Sequence, residues 1–411
     1  MQTAPRLGAA GLVAALLIGT AGCQSGSAVA DGDGPVDVGT IYDLSGSLSA
    51  IGTPKSDAAK LAIEDINASG GVLGRQLNLI GYDAQSDNAK YTQYATALVQ
   101  KDQVAAIDAG VTSASREAIR PIVDAAGIPY FYGNLYEGGL CDGNVFATGS
   151  VPSQQLAQLV PYAKKNFGSS FTILAADYNF GHDEAAWAQK YIEENGGTVT
   201  RTEYLPLDQT DFGSTLNNLQ QDKPSVVVSL LVGGDQMAFY KQFAAAGLGA
   251  STHIITPVFG DGQEQLSIGG AATEGIVIAY SYLQELDTPA NTAFLAKWHA
   301  KYGDDYPYVT PSAVAVWNDW HLWAAAVTKA GTFDRDKVIG ALESGVSYDG
   351  PGGKITIDGG SHHAIQNVYV AQGTKDGTFS VLQSYDQVSP AFEHSTCDLI
   401  TKPDTNQQFK P

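Results

Sequence analysis

From Val36 onward, short apolar runs alternate with segments whose apolar residues recur at helical spacing. The pattern predicts a strand over 38–42, a helix over 55–67 halted by Gly70-Gly71, and a strand over 76–82. A helix over 88–101, a buried strand over 104–107, a helix over 115–126 ended by Gly127 and a strand over 128–132 follow. The run then restarts with a helix over 153–167, a strand over 171–175 and a helix over 181–195 stopped by Gly196-Gly197. Strands over 198–204 and 226–231 flank a helix over 211–221. Asp235 reads as the N-cap of a helix over 235–246 stopped by Gly247, and strands over 253–256 and 276–279 close the second run. The last third predicts helices over 289–302 and from Pro311, capped by Thr310, to Gly331; short strands over 353–357, 367–371 and 378–383 follow. "INASGGVLGR" and "IEENGGTVT" echo one helix-stop-strand unit in the two halves. Strand-helix alternation implies parallel sheets covered on both faces. The fold class is therefore α/β, two doubly wound parallel-sheet lobes, with a cleft where the C-terminal ends of their strands face each other.

The chain has 411 residues and a net charge of −20, from 23 Lys+Arg against 43 Asp+Glu. Nucleic acid as a partner is excluded, because phosphate binding needs clustered cations and none occur. Residues 1–22 read as a signal peptide: Arg6 precedes an apolar stretch over 7–20 that is too short to span a bilayer. The stretch ends in Thr20-Ala21-Gly22-Cys23, which resembles a bacterial lipobox, so Cys23 is the expected lipidation site and the lipid the only membrane contact. Residues 23–35 suit a flexible tether. Cys141 and Cys397 remain, and an extracytoplasmic location permits a disulfide between them.

No nucleophile elbow, zincin or phosphate-loop motif is present, so neither catalysis nor a cofactor is expected. His362-His363 reads as an exposed turn rather than a metal pair, since neighbours on a strand face opposite ways. Trp317, Trp320 and Trp323 recur every third residue on one helix and read as core. Five loops just after strands carry the candidate chemistry: 42–52 with Ser47, 108–121 with Thr112 and Ser113, 130–144 with Tyr132 and Asn134, 176–181 with Tyr178 and Phe180, and 231–236 with Asp235. Several precede helices, whose first N–H groups are free to meet an oxygen.

"AIEDINASGGVLGRQL", "TSASREAIRPI", "YEGGLCDGNVFATGSVPSQQ", "EYLPLDQTDF" and "GPGGKITIDGGSHHAIQNVYV" resemble successive segments of the branched-chain-amino-acid type of periplasmic binding proteins. Within that family they are most similar to the urea and short-chain amide receptors, over roughly 36–382. The resemblance implies an ABC importer's solute-binding protein with permease subunits as partners and a three-segment hinge. Lobe 1 would hold 36–150 plus 281–342, lobe 2 would hold 151–280 plus 343–396, and 397–411 would form a C-terminal tail. It implies that Ser113 bonds the ligand, that Tyr132 lies in the pocket with Asn134 in place of a Thr, and that Tyr178 and Phe180 fall on a Tyr-x-Tyr pair with Phe180 in place of the second Tyr. Val111 falls where amide receptors can carry another Tyr. For a neutral amide, Ser113 would serve the oxygen, and Asn134 or Asp235 would accept from nitrogen. The alternative is an amino acid, whose ammonium needs an acid; Val258-Phe259 stand where amino-acid receptors carry one, leaving Asp235, Asp261 or Glu137 to compensate. A ligand-sensing regulator is a further alternative of the same fold.

Overall fold

The computed structural model describes residues 34–411, with 1, 2 and 4; the signal segment, Cys23 and nearly all of the tether lie outside the described residues. The first sheet is built from β1 (Val36–Tyr42), β2 (Leu77–Asp83), β3 (Ile107–Ala109), β4 (Tyr130–Tyr132) and β6 (Val145–Ala147), all parallel in the order β2-β1-β3-β4-β6. A short strand, β5 (Leu140–Asp142), precedes β6 in the glycine-rich loop that sequence reading left without structure. Helices α1 (Ser49–Ala68), α2 (Asn88–Gln100) and α3 (Ser113–Ala126) make the crossovers. The second sheet repeats the scheme with β7 (Ser170–Ala176), β8 (Thr198–Leu205), β9 (Val226–Leu230), β10 (His253–Thr256) and β11 (Val277–Tyr280), in the order β8-β7-β9-β10-β11. It is wrapped by α4 (Leu156–Phe167), α5 (Asn179–Glu194), α6 (Gly213–Asp222), α7 (Gly233–Ala245) and the short α8 (Glu264–Ile268) and α9 (Gly270–Thr273).

The chain then returns to lobe 1 with α10 (Pro289–Tyr302), α11 (Pro311–Ala330) and α12 (Arg335–Glu343). Thr288 and Thr310 each cap a helix that begins with proline, and Gly331 ends α11 in the left-handed conformation. Trp317, Trp320 and Trp323 are buried in the lobe 1 core.

The third crossover differs from the expected boundary at 343. β12 (Ser347–Gly350) and β13 (Gly353–Asp358) form a hairpin that still belongs to the first sheet. β14 (His363–Gly373) starts beside β6, with His363 opposite Ala147, and ends antiparallel to β11 and to β15 (Phe379–Val388). One strand thus runs through both sheets, and the chain changes lobe inside it, near Gln366. Gln366 Nε2 donates to Thr148 O at 3.2 Å, and Gln154 Nε2 donates to Ala364 O at 2.8 Å and Val388 O at 2.9 Å. Gln155 Nε2 donates to Pro257 O at 3.0 Å and Ala279 O at 2.6 Å. These buried amides satisfy the backbone where the crossovers leave the ladders.

After β15, α13 (Ala391–Thr396) leads to Cys397, which is disulfide-bonded to Cys141 on β5. β16 (Asn406–Gln408) then pairs antiparallel with β5, so the tail docks on lobe 1. His362 and His363 are buried, not an exposed turn: His362 stacks on Phe146 at 4.3 Å, and His363 Nδ1 lies 2.7 Å from Ser361 O. Burial pushes His363 down to about 4. Among the described residues no group of His, Cys, Asp or Glu could hold a metal ion, and no helix is long and apolar enough to cross a membrane.

Candidate functional site

The strand-end loops of both lobes meet at an inner cavity of about 80 Å³ that opens toward an outer chamber of about 630 Å³. Lobe 1 contributes Leu48, Ile51, Val111, Thr112, Ser113, Asn134 and Leu135 to the inner cavity. Lobe 2 contributes Tyr178, Phe180, Val232, Gly233, Gln236, Val258, Asp261 and Glu264. Thr112 and Tyr178 also face the outer chamber, which Ser47 and Asp235 line without reaching the inner one. Five expected residues, Thr112, Ser113, Asn134, Tyr178 and Phe180, therefore converge on the inner cavity. Tyr132 does not line it: the ring is fully buried behind the wall, its hydroxyl donating to Val111 O at 3.3 Å.

Thr112 caps α3, its hydroxyl accepting from Ser115 N, while Ser115 Oγ accepts from Val111 N and Thr112 N. The N–H groups of Ser113 and Ala114, which open the helix, have no partner within it. The Ser113 hydroxyl donates to Glu137, whose carboxylate also takes Arg116 Nη2 at 3.0 Å. Burial alone would raise the Glu137 pKa, but Arg116, Gln408 and Ser113 outweigh it and hold the group below the usual carboxylate range. An ionised carboxylate can only accept, so Ser113 Oγ spends its proton there and offers the cavity an acceptor. That reverses the expected polarity of this residue, from serving a ligand oxygen to receiving a ligand N–H.

Asn134 changes in the opposite sense. Its Oδ1 accepts from the buried Lys55 ammonium, which also donates to Gly110 O at 2.7 Å. Ammonium has no acceptor capacity, so the amide must turn its oxygen that way and leave its N–H bonds for the cavity. The backbone of Asn134 is itself gripped by Gly149, where a Cβ would lie 1.9 Å from Asn134 O. Sequence reading missed Lys55; the signal was a lysine in register with Ala58, Ala59 and Ala62 on the buried stripe of α1. Beneath it, Tyr42 donates to Asp108 at 2.8 Å and Thr148 donates to Asp319 at 2.9 Å. Burial raises Asp108 to about 6 against the pull of Lys55, and raises Asp319, which Asp108 lifts further.

The acids facing the inner cavity are engaged by the protein. Asp261 Oδ1 accepts from Ser312 N at 3.0 Å, at the start of α11. Glu264 Oε2 accepts from Gly260 N at 2.8 Å and Gly262 N at 3.2 Å, and burial lifts this carboxyl to about 7. Phe259 is core, packed on Tyr240 and Phe379. Asp235, on the outer chamber, differs: it is 1% exposed, neither carboxylate oxygen has a hydrogen-bond partner among the described residues, and burial pushes it to about 7. It is not the N-cap of its helix, because Gly233-Gly234 extend α7 by a half-turn and make Val232 the cap.

The family model for periplasmic binding proteins matches residues 35–378. The chain is 23% identical over 307 residues to Leu/Ile/Val-binding protein homolog 7 of Brucella abortus (strain 2308), covering 70% of this chain and 76% of that one. Its fold is similar to an amino acid ABC transporter substrate-binding protein from Pseudomonas fluorescens Pf-5, with a TM-score of 0.79, 21% identity and coverage of 88% and 98%. It is equally similar to an ABC-transporter solute-binding protein from Rhodopseudomonas palustris BisB5 in complex with 3,4-dihydroxybenzoic acid, with a TM-score of 0.77, 24% identity and coverage of 88% and 100%. Two sheets of one topology, a shared strand between them and a cavity built from the loops of both agree with the match over 35–378, which establishes that this chain belongs to the periplasmic binding protein family.

Proposed function

We propose that the protein is the extracytoplasmic solute receptor of an ABC importer, held to the membrane by a lipid on Cys23, and that its inner cavity takes urea or a short-chain amide. One observation carries the choice of a neutral solute: the charged groups on the inner wall, and those braced behind it, are already paired within the protein. Asp261 and Glu264 hold backbone N–H groups, Glu137 holds Arg116, and Lys55 is held by Gly110 and Asn134. The opening N–H groups of α3 can take a zwitterion's carboxylate, but its ammonium would meet no free acid at the inner wall, at a cost of several kcal/mol. A neutral amide matches the polarity instead. Asn134 Nδ2 and the opening N–H groups of α3 donate to its oxygen, Ser113 Oγ accepts from its nitrogen, and Tyr178 and Phe180 cover its flat face. Thermal-shift titration with urea, acetamide, L-leucine, L-valine and benzoate tests this, since a ligand of the native state raises the melting temperature. Urea or acetamide should stabilise the protein. Stabilisation by an amino acid alone would overturn the reading.

The second reading is an aliphatic amino acid. The unpartnered Asp235 carboxylate supports it, as do the names of the Brucella relatives. In that case the ammonium would sit at the mouth of the cavity, against Asp235. Asp235→Asn separates the two: it should leave acetamide binding within about twofold and abolish leucine binding.

A further inference from the structure

The last residues of the chain return to the floor of the cleft. The disulfide fixes Cys397 to β5, and β16 pairs with the same strand, Gln407 opposite Cys141 and Gln408 opposite Leu140. Phe409 N donates to Gly139 O at 2.7 Å, and a Cβ on Gly139 would lie 1.9 Å from Phe409 O, so only glycine allows this approach. Gln408 then turns its side chain inward. Its Nε2 donates to Glu137 Oε1 at 2.9 Å and to Gly138 O at 3.0 Å, and its Oε1 accepts from Arg116 Nη2 at 3.3 Å. Glu137 is the group that takes the Ser113 proton, and Ser113 lines the cavity. Trp187 of lobe 2 donates its indole N–H to Glu137 O at 2.9 Å, and Lys410 reaches Asp183 on α5 at 2.9 Å.

We infer that the disulfide-fixed tail is a positioning element of the solute site, with Gln408 holding the Glu137–Arg116 pair so that Ser113 presents its lone pair to the cavity. The inference rests on the inner cavity being the solute site. Arg116 Nη2 donates to both Glu137 Oε1 and Gln408 Oε1, and the Gln408 amide serves both members of the ion pair at once, donating to Glu137 and accepting from Arg116. Without it the buried carboxylate loses a donor and the guanidinium an acceptor. The pair can then close on itself, drawing Glu137 away from Ser113. Freed of that acceptor, the Ser113 hydroxyl rotates, and the cavity trades an acceptor for a donor.

The test uses full-length mature protein with ¹⁵N-labelled tryptophan, and the variants Gln408→Ala, Gln408→Met and Gln407→Ala. The indole N–H resonance of Trp187, identified by Trp187→Phe, reports the Glu137 carbonyl without any ligand. Acetamide and L-leucine serve as binding probes. Both Gln408 variants should displace that resonance and weaken whichever probe binds by about tenfold, the scale of one misplaced hydrogen bond. Gln407→Ala, which keeps the β16 pairing, should do neither. Gln408→Met retains the volume of the side chain, so its effect separates polarity from packing. An unmoved Trp187 resonance in both Gln408 variants overturns the inference whatever binds. A displaced resonance in a protein that takes up neither probe supports the role of the tail and sinks only the assignment of the cavity to an amide or an aliphatic amino acid.

Discussion

Two residues at the cleft carry consequences that can be worked out singly. Asp235 titrates near 7 in the fold and near 3.8 when unfolded, because burial penalises its charge. Between those values the native state holds the extra proton, so stability falls as pH rises from about 4 through 7 and the loss is complete above 7. Asp235→Asn removes this slope. The variant should therefore match the wild type near pH 4 and exceed it by one to a few kcal/mol at pH 8, measured by denaturant unfolding across that range. Asn134→Leu tests the polarity assigned to its amide. It strands the Lys55 ammonium against Gly110 O alone and strips the cavity of its side-chain donor, so acetamide binding should fall by tenfold or more, read by calorimetric titration, and stability should drop by about 1–3 kcal/mol.

Elements were legible in proportion to how locally they are specified. α10 and α11 could be read to the residue because Thr-Pro opens each and, for α11, Gly331 closes it. β14 could not: Gln366 and Asn367 interrupt its apolar run, and Gln366 is explained by the crossover contact it makes with Thr148 O, 218 positions away, while Asn367 is held by Gln387 on the neighbouring β15. Ser113 and Asn134 were found, but their hydrogen-bond polarity was not, because Glu137 lies 24 positions from one and Lys55 79 positions from the other. The tail was assigned no structure, although the disulfide closes a loop of 256 residues. Replacing Cys141 and Cys397 by serine should lower stability by about 2–5 kcal/mol. It should also free β16 from β5, and faster chymotryptic cleavage after Phe409, whose N–H is now held by Gly139 O, would register that release. Unchanged proteolysis would mean that the ladder alone holds the tail.

At the scale of the molecule, the cavity draws its walls from both lobes, so its volume depends on their separation. Solute should favour the closed arrangement by its contacts to both walls, with lobe 1 engaged first through Asn134 and the start of α3. Small-angle scattering should record a smaller radius of gyration at saturating acetamide, and an identical profile would argue that the lobes do not move.

That one strand belongs to both sheets also decides whether the lobes are separable parts. A chain cut after residue 280 would contain β1 to β11, yet β11 would be left with the exposed edge that Ala371 and Val370 now cover. Such a fragment should be recovered as aggregates rather than as two working half-receptors, and adding back residues 281–411 during refolding should rescue it. Exchange of lobes between relatives would meet the same obstacle, since whichever partner supplies this strand must fit two sheets at once. The unit of inheritance here is the whole receptor.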